Sequence, residues 1–402
     1  MNRAAHAGGL VHLASLFIAG ALLLAAAPWK PERNPIADAG IAPPPSRLGL
    51  PLRGYLDNYR TEPHLAGLLG TALRTGSSVV LLGSSELTSK DTPAKPVIFF
   101  NEELGVPLFA IGHAGNQSAS LHAQLIAAEA PLENARLVIM ISPGWFLDNS
   151  GRDGTALEAF LEYQPSPSLY RTAFRLKDGD TTVLPIARYL ADHQRELGAA
   201  QPVVKWITRS TDPGDRVRYA FSQPWTWYRV EASMQQMLPP ARGTDAPIGP
   251  VVMPEITAAQ WEERYAKAIA EHLAECTNNT AYVNDAYYAE YVSGATRQVG
   301  VVPLEQNREF RDFIGLLDFL KSAQADPLFV LQPLNPYVYT NLRAVDPTVH
   351  ELRRALGSRG FRTLDLWTSD TARFQPGVLT DVMHLGPLGW YRVDSAMIAH
   401  FQ

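Results

Sequence analysis

Cysteine is nearly absent. The chain holds one, Cys276, so no intramolecular disulfide and no multi-cysteine zinc site can form. Basic excess is absent too: 35 Lys and Arg stand against 40 Asp and Glu, a net charge of -5. That balance offers no bulk neutralisation of phosphates, and no nucleic-acid partner is expected. Charged residues make up only 19% of the chain against 46% hydrophobic, which excludes a mostly disordered protein. No internal repeat is found, which excludes a solenoid or a propeller. Beyond Ala27 no apolar run is long enough for a second membrane span, which excludes a polytopic protein.

One long apolar run is present, from Gly8 to Ala27. At about 1.5 Å per helical residue it covers roughly 30 Å, one bilayer core. Residues 8–27 are therefore expected to form a transmembrane anchor. A cleaved signal peptide is the rival, with Ala25-Ala26-Ala27 as the small-residue site. The length of the run and the immediate Pro28 weigh against it. Arg3 precedes the run and Lys30 and Arg33 follow it, so flanking charge does not orient it. In either case the rest is expected outside the cytoplasm, in the periplasm or at the cell surface, held to the cell membrane by a single pass. Residues 28–46, with Pro43-Pro44-Pro45, read as a stiff linker before a domain over 47–402.

That domain alternates. Leu65 to Arg74 has a helical pattern. Ser78 to Gly83 is a short apolar run ending in glycine, as a buried parallel strand should be. Val106 to Ile111, Leu137 to Ile141, Leu328 to Leu331 and Phe361 to Leu366 read as further strands. Ser118 to Glu129 and Pro347 to Gly357 read as helices between them. Strands alternating with helices predict a three-layer α/β domain with a mostly parallel sheet. Between about 150 and 306 the alternation fails. This segment, with a helix over Ala258 to Glu275, is expected to be a largely helical insertion. Its Trp225-Thr226-Trp227-Tyr228 cluster reads as packing, with a membrane face or a cleft wall as the alternative.

In an open parallel sheet, ligands bind beyond the carboxyl ends of the strands. The residues found there are Gly83-Ser84-Ser85-Glu86, Gly112 to Gln117, Ser142 to Phe146, Gln332 to Asn335 and Asp381 to His384. The set contains a serine, a histidine and an aspartate. A serine hydroxyl becomes nucleophilic when a base takes its proton, and a histidine does that near neutral pH. The histidine in turn needs a carboxylate to fix its tautomer. Asp381 and His384, three apart, can meet side chain to side chain. Backbone N–H groups at Ser85 and Gly115 would serve a developing oxyanion, and Gly115 lets the substrate come close. The plainer readings are a helix N-cap for Ser84 or Ser85 and a capped turn for Asp381 and His384. Glu86 reads as a salt bridge supporting its loop. His113 and His122 lack carboxylate partners at helical spacing and read as structural, so no metal is expected. Cys276, far from the glycine-rich edge, reads as packing. No cofactor is expected.

These blocks resemble the DltD family of D-alanyl transfer proteins, which have an SGNH-hydrolase-like (flavodoxin-like) fold. Gly83-Ser84-Ser85-Glu86-Leu87 is similar to the family's nucleophile block, and Gly115-Asn116-Gln117-Ser118, with His122 beyond, to its second block. Thr277-Asn278-Asn279, Asp285 to Tyr288 and Pro333-Leu334-Asn335 with Tyr337 and Tyr339 resemble further stretches. Asp381 to Trp390 is the most specific match. The resemblance implies Ser85 as nucleophile, His384 as base and Asp381 as its acid. It implies transfer of D-alanyl groups to a cell-envelope polymer through a Ser85 acyl-enzyme. It also implies a membrane-bound O-acyltransferase and an acyl carrier as partners. One position departs: relatives read Pro-Gln-Trp-Phe where this chain has Pro143-Gly144-Trp145-Phe146, so a side-chain oxyanion donor is missing. Asn116 or Gln117 is expected to replace it. Two rival functions stay open at this level: an envelope esterase or thioesterase that passes the acyl group to water, and a non-catalytic scaffold that binds a carrier or polymer.

Overall fold

A computed structural model describes residues 51–56, 65–89, 91–147, 160, 169, 172, 175–176, 179–194, 251–295 and 297–402. Six strands make one sheet: β1 (Gly54–Leu56), β2 (Val79–Gly83), β3 (Leu108–Gly112), β4 (Leu137–Ile141), β5 (Leu328–Leu331) and β6 (Arg362–Asp365). Their order is β1-β3-β2-β4-β5-β6, and every pairing is parallel. Seven helices matter for the site: α1 (Leu65–Thr75), α2 (Ser118–Ala128), α3 (Leu184–Asp192), α4 (Ala258–Ala274), α5 (Arg308–Ser322), α6 (Asp346–Ser358) and α7 (Pro387–Phe401).

The strand sequences dictate burial on both faces. β2, β3 and β4 read VVLLG, LFAIG and LVIMI, and every residue in them is buried. Side chains alternate along a strand, so each strand feeds two cores. Val80, Leu82, Phe109, Ile111, Ile139 and Phe329 pack with Leu68, Leu121, Leu125, Leu316 and Leu352 from α1, α2, α5 and α6. Val79, Leu81, Leu108, Val138, Met140 and Val330 face the other way. They meet Phe99, Phe100, Trp261 of α4, and Trp390 and Met397 of α7. Each such buried side chain contributes roughly 1.5–3 kcal/mol, and together they hold the central strands rigid.

The expected parallel α/β fold is therefore present, with two differences. β1 adds an edge strand that is too short, at three residues, to show a pattern. A helix, α7, follows directly on the Asp381–His384 loop, with Pro387 in its first turn. Within 150–306 the described residues form α3, α4 and several short turns. The 225–228 aromatic cluster, the 28–46 linker and the 8–27 anchor all lie outside the described residues. The expected single-pass membrane placement is corrected: among the described residues no helix is long and apolar enough to cross a membrane.

Chain order places the site. After β2 the chain crosses to β3 on one side, and after β4 it crosses to β5 on the other. Such a reversal opens a crevice at the carboxyl ends of the strands around β2.

Candidate active site

Ser85 starts a single 3₁₀ turn (Ser85–Thr88) directly beyond β2, where the chain leaves the rigid strand. Its Oγ lies 3.1 Å from His384 Nε2. The other ring nitrogen, Nδ1, lies 2.7 Å from Asp381 Oδ2. With a proton on Nδ1 donated to that carboxylate, Nε2 is left to accept from the Ser85 hydroxyl. The second oxygen of Asp381 is also engaged. Oδ1 accepts the backbone N–H groups of Met383 and His384, each at 2.8 Å, so the loop folds around its own carboxylate. Loop closure is completed by Thr380 N–H to the His384 carbonyl at 2.9 Å, and by Asn335 N–H to the Val382 carbonyl at 3.0 Å. The last bond ties the loop to the end of β5, so both ends of the Ser85–His384 contact rest on the sheet.

The environment tunes these groups. Burial favours the neutral imidazole of His384, but the hydrogen bond and charge of Asp381, with the charge of Glu86, raise its pKa above 6.5. Burial would raise Asp381, yet His384 and the two backbone N–H groups hold its carboxyl below the ordinary 3.8. The pair thus favours the protonated imidazole more than a free histidine does. His384 is 26% exposed and Asp381 13%, so the pair is reachable from solvent on one side.

The loop beyond β3 supplies the neighbouring backbone. Gly115 has φ of +83°, a conformation that suits glycine, and it turns the chain towards α2. Among the described residues the N–H groups of Ser85 and Gly115 donate to no backbone acceptor in a turn or loop. Asn116 is fully buried. Its Nδ2 donates to the Gly83 carbonyl at 2.8 Å, and its Oδ1 accepts from Gln124 Nε2 at 2.8 Å. Its carboxamide is thus committed to bracing the two loops. Gln117 is half-buried and caps α2 without a side-chain bond. Ser84 Oγ donates to the His113 carbonyl at 3.0 Å, a second brace between the loops. Gly144 is buried, and its N–H donates to Ser142 Oγ at 3.2 Å.

Several residues sit elsewhere or act differently. Glu86 makes no ion pair with lysine or arginine among the described residues. Its Oε1 accepts the Ser84 N–H at 2.6 Å instead. His122 packs tilted against Phe319 of α5 with ring centres 4.7 Å apart, and burial, then Arg175, lowers it to about 3, so the ring is neutral. Cys276 is buried with its Sγ 3.3 Å from His272 Nε2, and burial pushes its thiol to about 11. Two buried residues of the site have no motif to reveal them. Asn307 Nδ2 donates to the Phe146 carbonyl at 2.8 Å, and Glu309 Oε1 accepts the Ser118 N–H at 2.9 Å. The start of α5 thereby grips the loops after both β3 and β4. Only the Asn-x-Glu spelling of a helix start hints at this.

The family model for DltD protein matches residues 68–402, which includes all these loops. The protein DltD of Bacillus subtilis (strain 168) is 21% identical over 352 residues, 81% of this chain and 82% of that protein. The protein DltD of Lacticaseibacillus rhamnosus is 24% identical over 344 residues, 79% of this chain and 76% of that protein. With so much of its length under one family model, the chain belongs to the DltD family.

Proposed function

We propose that this DltD-family protein serves cell-envelope D-alanylation as a serine acyltransferase. The observation that carries the reading is the continuous contact from Ser85 Oγ through His384 to Asp381. Ser85 Oγ attacks the carbonyl carbon of an activated acyl donor while His384 Nε2 takes the hydroxyl proton. The Ser85 and Gly115 N–H groups receive the oxyanion. Collapse of the tetrahedral intermediate breaks the bond to the donor, and the imidazolium gives its proton to the leaving group. An acceptor hydroxyl then repeats the sequence on the acyl-enzyme and frees Ser85. The family resemblance points to D-alanine as the acyl group and a hydroxyl of an envelope polymer as acceptor. It points to an acyl carrier or a membrane-bound O-acyltransferase as the source of the acyl group. Water in place of the acceptor makes the same site an esterase or thioesterase. With Gly144 in place of a side-chain donor, this reading relies on the backbone N–H groups of Ser85 and Gly115 for the oxyanion.

Intact-mass spectrometry after exposure to a serine-directed fluorophosphonate tests this. One adduct is expected on the wild-type chain and none on Ser85→Ala or His384→Ala. A folded wild-type protein that takes no adduct overturns the reading in favour of a binding role.

A further inference from the structure

Glu86 is 2% exposed and directly follows the proposed nucleophile. Its carboxyl folds back beneath the loop, where Oε1 accepts the Ser84 N–H at 2.6 Å. Gly83 makes the room: a Cβ there would lie 2.4 Å from that oxygen and 3.0 Å from Leu87. His384, whose Nε2 lies 3.1 Å from Oγ of the adjoining Ser85, is the ionisable group whose charge acts on this carboxyl among the described residues. His384 in turn faces Asp381 and Glu86.

A neutral amide could hold the Ser84 N–H as well as a carboxylate does. Burying a charge costs several kcal/mol unless another charge meets it. Among the described residues no lysine or arginine does so, and the cation that forms beside this turn is the imidazolium of His384. We propose that Glu86 is a second carboxylate of the site, a positioning residue that holds the Ser84–Ser85 turn and stabilises the imidazolium formed when His384 takes the Ser85 proton. The proposal rests on the reading of Ser85 as nucleophile and His384 as base. The two groups titrate as a coupled pair. Burial pushes Glu86 up, with the Ser84 N–H and His384 opposing, and Glu86 adds to the upward shift of His384.

The test is a titration of the full chain carrying ¹³C-labelled histidine, followed by NMR, with His384→Ala to assign the resonance. In Glu86→Gln, which keeps an acceptor for the Ser84 N–H, the His384 midpoint is expected to fall by about one unit, the low end of a nearby-charge effect. The pH at half-maximal fluorophosphonate labelling falls with it. A purely structural Glu86 would lower the labelling rate and leave both midpoints in place. An unmoved His384 midpoint in Glu86→Gln overturns the proposal, and a wild-type chain that still labels through Ser85 then leaves the acyltransferase reading standing. A shifted midpoint in a protein that never labels keeps the Glu86–His384 pairing and removes its catalytic meaning.

Discussion

The Asn116 carboxamide donates to the Gly83 carbonyl at 2.8 Å, joining the loop after β3 to the loop that carries Ser85. Gln124 Nε2, nearly two turns into α2, holds the other end of that amide at 2.8 Å. Ser85 and Gly115, whose N–H groups are the proposed oxyanion donors, lie within two residues of the bridged positions Gly83 and Asn116. In Asn116→Ala, the Gly83 carbonyl and the Gln124 amide lose a buried partner, at a cost of about 1–3 kcal/mol. The expected outcome is a lower melting temperature, together with about 10-fold slower fluorophosphonate labelling, because a misplaced donor loses catalytic effect. Wild-type stability in Asn116→Ala would show that the bridge is idle.

The charge around His384 fixes the direction of the pH response. Only neutral His384 can accept the Ser85 proton, and its pKa lies above 6.5. Labelling is therefore expected to rise with pH and to reach half its maximum above 6.5. Asp381→Asn removes the carboxylate that fixes the tautomer and supports imidazolium. It should slow labelling by roughly 10²–10⁴-fold and move the half-rise to lower pH. Labelling that is flat from pH 5 to 9 would remove His384 as the base.

The central strands are readable from sequence because each is an unbroken apolar run with glycine or polar residues at its carboxyl end. β1 is not, because Gly54-Tyr55-Leu56 carries too few residues for a pattern. β6 is half exposed and is recognised mainly by its place after α6. Ser85, Asp381 and His384 are readable for a topological reason: the loops beyond the strands converge, so their polar residues meet. What sequence does not reveal is where a side chain turns. Asn116 is a candidate donor by residue type, yet its partner Gln124 lies eight positions on, in a helix whose phase decides the contact. Glu86 suggests an ion pair by its charge alone, whereas the glycine before Ser84 opens a cradle in which a backbone N–H meets it.

Cys276 offers a test against a thiol-based mechanism. It is buried, and its thiol is pushed to about 11 by burial and then by Asp285 and Glu275. A thiol held protonated is a poor nucleophile. Disulfide reagents such as DTNB are expected to modify it far more slowly in the native chain than in denaturant. Cys276→Ala is expected to take the fluorophosphonate at the wild-type rate. Loss of labelling in that variant would transfer the chemistry from Ser85 to the thiol.

The first turn of α5 makes stability depend on pH. Glu309 is buried, accepts the Ser118 N–H at 2.9 Å and is raised from 4.5 to about 8 by burial and then by Asp312. Asp312 is raised from 3.8 to about 7, again by burial, although Arg311 opposes it. The folded chain therefore holds protons that the unfolded chain has released. Where the folded state binds more protons, stability falls as pH rises. The contribution is full below about 4 and is lost as pH climbs through about 7 to 8. Glu309→Gln keeps an acceptor for Ser118 and cannot ionise. At pH 5 it should match the wild type, and at pH 9 it should be more stable by on the order of 2–4 kcal/mol. Urea unfolding at the two pH values measures this directly. Parallel losses in both proteins would mean that Glu309 ionises freely in the fold, and that the grip of α5 on the start of α2 carries no buried acid.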